Sequence, residues 1–315
     1  MNTAAIGIDF GGTSVKFGVV KGCKIIDTPS PIPTQSFPTR DSLIGEICKV
    51  VERIKLAHPE VAAIGVGVPG FVNFEKGVIS NLTNVLGWQN VPFRDILSEK
   101  TGLPVTIDND ANAMAYAEWK LGAGRGFKDL VCLTLGTGVG GGIIANGQMI
   151  RGANFGAGEL GQTSIDYRGR MGTYGNPGSL EEYIGNREII QEAIRFYKHD
   201  GIQKTADEIT PAYLSELALT GDETALKIWH WVAEKLACTM MNCCYLLNPA
   251  AFVIGGGVAK AGDLIFEPLR EKLNKWVIES QVESLEIIPA QFGNDAGIIG
   301  CAALALEQAG LCDHE

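Results

Sequence analysis

The chain has 315 residues, 46% hydrophobic and 20% charged, with 26 Lys and Arg against 36 Asp and Glu for a net charge of −10. Length and apolar content suit two domains, or one large one, with a sizeable core, and exclude a disordered chain. The acidic balance leaves no footprint for nucleic acid or an anionic membrane, no run reaches the roughly 18 apolar residues of a membrane span, and the opening MNTAAIGIDFGG lacks the basic start of a signal peptide, so a cytoplasmic location is expected.

In chain order, residues 4–8 alternate small and β-branched side chains and predict a buried strand, followed by a turn at Gly11-Gly12-Thr13 and a second strand over 15–20. A short third strand falls at 24–28, and residues 29–39, with four prolines, form a surface connection. Residues 41–56 carry Leu43, Ile44, Ile47, Val50, Val51 and Ile54 at helical spacing. Residues 61–68 read as a buried strand ending at Pro69-Gly70, 93–100 as a short helix, 104–107 as a strand and 111–121 as an alanine-rich helix. Residues 122–126, three of them glycine, are a candidate hinge.

The second half starts again in the same way. A strand over 130–135, a glycine turn over 136–142 and a strand over 142–145 precede Asn146-Gly147, a hairpin signal. Residues 224–247 form a long helix stopped by Asn248-Pro249, with Cys238, Met240, Met241, Cys243 and Cys244 better suited to core than to interface. A strand over 251–254 runs into Gly255-Gly256-Gly257, then come a helix over 262–276, a strand over 285–288 and a closing helix over 296–306. IGIDFGGTSVKFGVV and CLTLGTGVGGGIIA share a layout of strand, glycine turn and strand. That repeat predicts two similar α/β domains.

The eight cysteines form no C-x-x-C pair and read as free, buried thiols. Glycine is the outlier at forty residues, nearly twice the roughly 7% usual in proteins. The excess gathers after apolar β-branched runs, where glycine lets backbone approach a ligand or take positive φ. Two glycine turns facing each other offer the N–H concavities a phosphate chain needs. Asp9, ending the first strand, is placed for the accompanying divalent cation. No G-x-x-x-x-G-K-[ST] occurs. Two G-x-G-x-x-G matches do, at Gly65, Gly67, Gly70 and at Gly136, Gly138, Gly141, but neither leads into a helix, which argues against a dinucleotide site.

IGIDFGGT resembles the first phosphate motif of the actin/hexokinase-like ATPase superfamily. Within it the chain resembles the ROK family of sugar kinases and repressors, over nearly its whole length. The pieces come in family order: DFGGT at 9–13, GVGVPG at 65–70, LTNVLGW at 82–88, DNDANA at 108–113, GTGVGGG at 136–142, GAGELGQ at 156–162, GSLE at 178–181, IGGGVAKAG at 254–262 and NDAGIIGCA at 294–302. The resemblance implies two ribonuclease-H-like α/β domains with the active site in the cleft between them. The first would span 1–118, completed by a C-terminal helix over 297–315, and the larger second 119–296. It implies ATP- and Mg²⁺-dependent phosphorylation of a hexose, glucose foremost, at the 6-hydroxyl, by a homodimer. Repressor members carry a helix-turn-helix ahead of this body. Here the first strand starts within a few residues of Met1, which favours the kinase. Three other readings stay open: a kinase for fructose, N-acetylglucosamine or N-acetylmannosamine; a polyphosphate-using glucokinase; and a non-catalytic sugar-responsive binding or regulatory protein.

Asp110 lies at a helix N-terminus, which favours a carboxylate, although a plain helix cap would also account for it. The resemblance makes it the base for the sugar hydroxyl, with Asn109 bonding a second hydroxyl and Asp108 and Asn112 structural. It implies Asp9 on Mg²⁺, directly or through water, and Gly11, Gly12, Thr13 and Lys16 on the phosphates. Gly136, Thr137 and Gly138 would reach the phosphates from the other domain, and Gly255, Gly256 and Gly257 would take the adenosine. Glu159 and Glu181, which alone would pass for surface carboxylates, would hold sugar hydroxyls, with Gly70, Thr83 and Asn84 lining the other side of the sugar.

One departure stands out. Most family members have G-E-x-G-H followed by C-x-C-G-x-x-G-C-x-E, whose His and three Cys bind a structural zinc. Here those positions are Gln162, Gly172, Tyr174 and Ser179, so no zinc is expected. Gln162, with a donor and an acceptor, is left to contact the sugar where the family uses His.

Overall fold

The computed structural model describes residues 3–82, 85 and 87–311; Thr83 and Asn84 lie outside the described residues. The chain divides into two compact units, one of Met1–Arg125, Met149–Ala157 and Asn294–Glu315, the other of Gly126–Gln148 and Gly158–Gly293.

In the first unit β1 (Ala4–Phe10) and β2 (Ser14–Lys21) form a hairpin, and β2 also pairs with β3 (Lys24–Asp27) and β4 (Ile32–Pro33). Helix α1 (Arg40–Ala57) returns the chain to β5 (Val61–Val68), which lies parallel to β1. A small separate sheet of β6 (Val72–Asn73), β7 (Val78–Asn81) and β8 (Gln89–Val91) follows, in a stretch the sequence leaves without elements. Helix α2 (Phe93–Thr101) leads to β9 (Val105–Asn109), parallel to β5, and α3 (Asp110–Lys120) starts directly from its end.

The second unit repeats this plan. β10 (Leu130–Leu135) and β11 (Val139–Ala145) form its hairpin, and β11 turns into β12 (Gln148–Ile150) through Asn146 and Gly147 at φ of 51° and 69°, the conformation that favours Asn-Gly. Helices α4 (Glu181–Ile184), α5 (Asn186–His199), α6 (Pro211–Leu219) and α7 (Glu223–Leu247) precede β13 (Ala251–Gly255), parallel to β10. Helices α8 (Asp263–Trp276) and α9 (Glu279–Val282) lead to β14 (Glu286–Pro289). The strand orders β2-β1-β5-β9 and β11-β10-β13-β14 correspond one to one, so the repeat seen in the glycine hairpins extends to topology. Because β11 begins at Val139, its turn is only residues 136–138, and Gly140, Gly141 and Gly142 belong to the strand. Met240, Cys243 and Cys244 are buried in the core around α7, which ends where Asn248 takes a left-handed φ of 46°. The described cysteines are free, and no helix among the described residues is long and apolar enough to cross a membrane.

Strand alternation gives the first sheet two unlike faces. Ile6, Ile8, Phe10, Ile64, Val66 and Val68 share a core with Leu43, Ile47, Val50 and Val51 of α1. The opposite face carries Ala5, Gly7, Asp9, Ala63, Gly65 and Gly67. The last helix, α10 (Ala296–Gln308), lies on this small-residue face and against α3. A Cβ on Gly7 would collide with the Ile298 carbonyl, one on Gly65 with the Cys301 carbonyl, and one on Gly300 with the Ala113 carbonyl of α3. Gly65 and Gly67 therefore sit inside a strand and serve helix packing, not a ligand turn.

Substituting these contacts should be costly. Gly65→Ala and Gly300→Ala should each destabilise by about 1–3 kcal/mol or more, the usual penalty of overpacking. Gly45→Ala, in α1 with open space around the new methyl, should stabilise by up to about 1 kcal/mol. Thermal unfolding followed by circular dichroism compares the three; equal effects at Gly65 and Gly45 would contradict the packing account.

Candidate active site

The first unit presents Asp9 near the end of β1, directly across the ladder from Lys16 of β2. The Lys16 Nζ lies 3.3 Å from Asp9 Oδ2, with side chains 57% and 29% exposed, so this pair is solvated and weak. The Gly11 amide donates to the Ser14 carbonyl at 3.0 Å and closes the turn. Thr34, a buried residue, donates its hydroxyl to the Gly12 carbonyl at 2.7 Å and its amide to the Thr13 carbonyl at 3.0 Å. Both carbonyls are thus turned into the protein. The Gly12 and Thr13 amides donate to no group among the described residues, leaving an N–H pair suited to an anion. The turn grows out of Phe10, which packs edge-on against Trp88 and Phe93 at centroid distances of 4.8 and 6.1 Å. Thr34 falls in the stretch read from sequence as a surface connection, where nothing local marks its role.

Asp110 is the first residue of α3, and the helix cap is Asn109 instead. The Asn109 Oδ1 accepts from the Ala111 and Asn112 amides at 2.9 and 3.1 Å, while its Nδ2 donates to the Gly70 carbonyl at 3.1 Å. This brings Asn109 and Gly70, itself at φ 86°, into one contact. The Asp110 carboxylate accepts from the Ala111 amide at 2.9 Å. Burial pushes its carboxyl above the usual carboxylate range, the Ala111 amide opposes the rise, and the negative charge of Asp9 adds to it. Asp110 Cα lies 3.4 Å from the space a Gly67 Cβ would fill, so it stands on the small-residue face of the sheet beside Asp9. Asp108, buried, accepts from Arg151 Nε and Nη2 at 2.9 and 2.7 Å, from the Asn109 amide at 2.8 Å and from Asn112 Nδ2 at 3.1 Å.

The second unit gathers a second set. The turn 136–138 is closed by the Gly136 amide on the Gly138 carbonyl at 2.9 Å, with Thr137 exposed at its tip. Glu181, at the start of α4, accepts the Val139 amide on Oε2 at 2.9 Å and Gln162 Nε2 on Oε1 at 3.3 Å. A Cβ on Gly138 would collide with Glu181 Oε2. Glu159, half-buried, stands one helical turn before Gln162, its carbonyl accepting the Gln162 amide at 3.0 Å. Gln162 Oε1 is buried with no partner among the described residues, an acceptor that a ligand hydroxyl would satisfy. Gly255 ends β13, and Gly256, at φ 87°, is pressed against the backbone of Leu135 at the root of the 136–138 turn. Gly257 alone of the three faces open space.

The segment between Gln162 and Glu181 carries its own supports. Asn176 Nδ2 donates to the Gln162 carbonyl at 2.7 Å, and the Gly172 amide to the Asn176 carbonyl at 2.7 Å. Arg170 donates to the Glu182 carbonyl at 2.8 Å and to Glu192 at 2.6 Å, its guanidinium 4.8 Å from the Tyr183 ring centre. Gln162, Gly172, Tyr174 and Ser179 provide neither thiolate nor imidazole and so do not fit a zinc ion. Among the described residues no group of three or more His, Cys, Asp or Glu could hold a metal. For magnesium the donor set differs: Asp9 offers a partly exposed carboxylate oxygen, the kind of ligand that ion takes.

Because the Asp110 carboxyl titrates higher folded than unfolded, its contribution to stability is full below the unfolded value, about 3.9, and is lost as pH rises through the folded value. Asp110→Asn should therefore raise the melting temperature at neutral pH, and the gain should shrink as pH falls through the acid range. A neutral-pH melting temperature at or below wild type would contradict the burial account.

A model of the ROK family matches residues 5–308. The glucokinase of Streptomyces coelicolor is 32% identical over 316 residues, covering 96% of this chain and 97% of its own. The glucokinase of Halalkalibacterium halodurans is 34% identical over 314 residues, covering 96% and 95%. Among solved structures, a ROK family glucokinase from Streptomyces griseus in complex with glucose and AMPPNP matches with a TM-score of 0.80 at 32% identity, over 96% of this chain and 99% of that one.

Proposed function

The chain belongs to the ROK family, and from that premise we propose that it is a glucokinase, transferring the γ-phosphoryl group of ATP to the 6-hydroxyl of glucose. The observation that carries the reading is Asp110: a carboxylate raised by burial and by Asp9 at the start of α3, in a chain matched along its length by a glucokinase holding glucose and AMPPNP.

Phosphoryl transfer asks mainly for positioning and charge neutralisation. Asp110 takes the proton of the 6-hydroxyl as that oxygen bonds the γ-phosphorus and the bond to the β-bridging oxygen breaks. ADP leaves, and the proton passes to water. A carboxyl raised toward the working pH is a better base for this than an ordinary one. The Gly12 and Thr13 amides, with Gly11 and the Lys16 cation beside them, hold phosphate oxygens, and the turn of Gly136, Thr137 and Gly138 does the same from the second unit. The open backbone at Gly257, next to Gly255 and Gly256, takes the adenosine. Asp9 would hold Mg²⁺, whose charge offsets that of the phosphates.

The sugar is held by Asn109, Glu159, Gln162 and Glu181 with the Gly70 backbone, and Thr83 and Asn84 are assigned to the same cage from their motif. A buried acceptor without a donor costs about 1–3 kcal/mol. A sugar hydroxyl donating to Gln162 Oε1 recovers that cost, which supports glutamine as a working replacement for the family histidine.

The test is ADP release with ATP and Mg²⁺ over glucose, mannose, fructose, N-acetylglucosamine and N-acetylmannosamine. Glucose should give the highest kcat/KM, and silence across the panel would remove the ATP-dependent kinase reading. Asp110→Asn should lower kcat by about 10²–10⁴-fold, the worth of a positioned base, and the wild-type rate should fall toward acid pH with its inflection above the ordinary aspartate value. Thr34→Val, which strips the Gly12 carbonyl of its donor, should raise the KM for ATP about tenfold, a loss of about 1.4 kcal/mol. Thr34→Ser should restore it, and an unchanged KM in Thr34→Val would detach Thr34 from the phosphate turn.

A further inference from the structure

Asp108 immediately precedes the Asn109-Asp110 pair, and its carboxylate is fully occupied. One oxygen accepts from the Asn109 amide and Asn112 Nδ2, the other from both Nε and Nη2 of Arg151. With side-chain exposures of 4% and 18%, the Asp108–Arg151 pair is shielded from water and screened little by salt. An ionised carboxylate takes about four hydrogen bonds, so Asp108 has no site left for a ligand. Its role is to be held, and to hold the residues on either side of Asp110.

Arg151 reaches this position from a distant part of the chain. From Met149, within β12, to Ala157 the chain belongs to the first unit. There the Ala157 amide donates to the Arg151 carbonyl at 3.0 Å and the Phe155 amide to the Gly152 carbonyl at 3.2 Å. The Arg151 guanidinium lies 3.7 Å from the Phe74 ring centre, a stacking contact that fixes the plane of the fork. A lysine would keep the charge and lose the two-pronged geometry. Ion pairs of this kind are poor devices for stability alone, since apolar residues of similar volume do as well or better.

We propose that Arg151 is a positioning residue for the transfer reaction: its forked grip on Asp108 fixes the backbone of residues 108–112 and so aims the Asp110 carboxylate. The inference deepens the kinase reading and rests on it for its kinetic consequence. A base displaced by even 1 Å loses up to about 100-fold in rate.

The test compares wild type, Arg151→Lys and the double variant Arg151→Met/Asp108→Asn, using melting temperature, hydrogen exchange at residues 109–112, and kcat and KM for ATP with glucose. In Arg151→Lys, kcat should fall about 10- to 100-fold with KM for ATP unchanged. The Asn109, Ala111 and Asn112 amides should exchange at least about tenfold faster while β10 amides keep their rates. The double variant leaves no unpaired buried charge; it should hold a near wild-type melting temperature and still lack the rate, and it carries the test if Arg151→Lys fails to fold. A wild-type rate with unchanged exchange in Arg151→Lys overturns the proposal, as does recovery of kcat together with stability in the double variant. If the wild type transfers no phosphoryl group to any sugar, the kinase reading fails instead. Exchange at 109–112 then decides the clamp on its own, acceleration sustaining it and unchanged rates overturning it.

Discussion

Helix α10 lies against β1 and β5 only because Gly7 and Gly65 have no side chain to hold it off, and the arrangement of the carboxylates follows from that approach. Strand alternation puts Asp9 on the same face as Gly7. Gly300 seats α10 on α3, and Gly67 leaves room for the Cys301 side chain of α10, with the start of α3 in contact beside it. The face of the sheet that lacks large apolar side chains is therefore the face on which Asp9 and Asp110 meet. Larger residues there would pack an ordinary side-chain layer between helix and sheet and move the start of α3 away from Asp9.

Three aspartates on this framework have three fates, set by partners rather than by residue type. Asp108 is buried and paired with Arg151. Asp9 is partly solvated and has Lys16 nearby. Asp110 is pressed into the protein, close to a second negative charge, and among the described residues no basic side chain pairs with it. Burial and a like charge both disfavour its ionised form. Environments that drive similar groups apart are how a site separates a base from its supports. Packing and hydrogen bonds hold the two carboxylates where they are: Phe10, next to Asp9, packs edge-on with Trp88 and Phe93, and Asn109 satisfies two amides of the first turn of α3.

Much of this was legible in the residues because much of it is local. The glycine hairpins, the buried parallel strands and the long helix ending at Asn248 follow from period and turn chemistry. Strands β6, β7 and β8 have two to four residues each, too few for any period to register. Helix α5 carries Ile189, Ile190, Ala193, Ile194 and Tyr197 at helical spacing, although it is not among the elements expected from the sequence above. The cap of α3 is one residue earlier than the motif suggests, a difference that only the Asn109 hydrogen bonds decide. Thr34 and Arg151 act on partners 22 and 43 residues away, and no local pattern marks a contact made at that range. The small alternate residues Ala5-Gly7 and Ala63-Gly65-Gly67 carry a signal, but for a helix lying close to the sheet and not for a bound ligand.

Counting acceptor sites separates the carboxylates that hold structure from those free to hold a ligand. An ionised carboxylate has about four lone-pair sites. Asp108 uses all four within the protein. Glu181 uses two among the described residues, for the Val139 amide and Gln162 Nε2. On the kinase reading, Glu181 can therefore take a sugar hydroxyl without releasing the amide that follows the phosphate turn. Gly138 must remain small for the same reason, because any side chain there would displace the carboxylate. On that reading the sugar-binding and phosphate-binding parts of the second unit are joined through one side chain, and the buried, unpartnered Gln162 Oε1 is the acceptor that a sugar hydroxyl would satisfy.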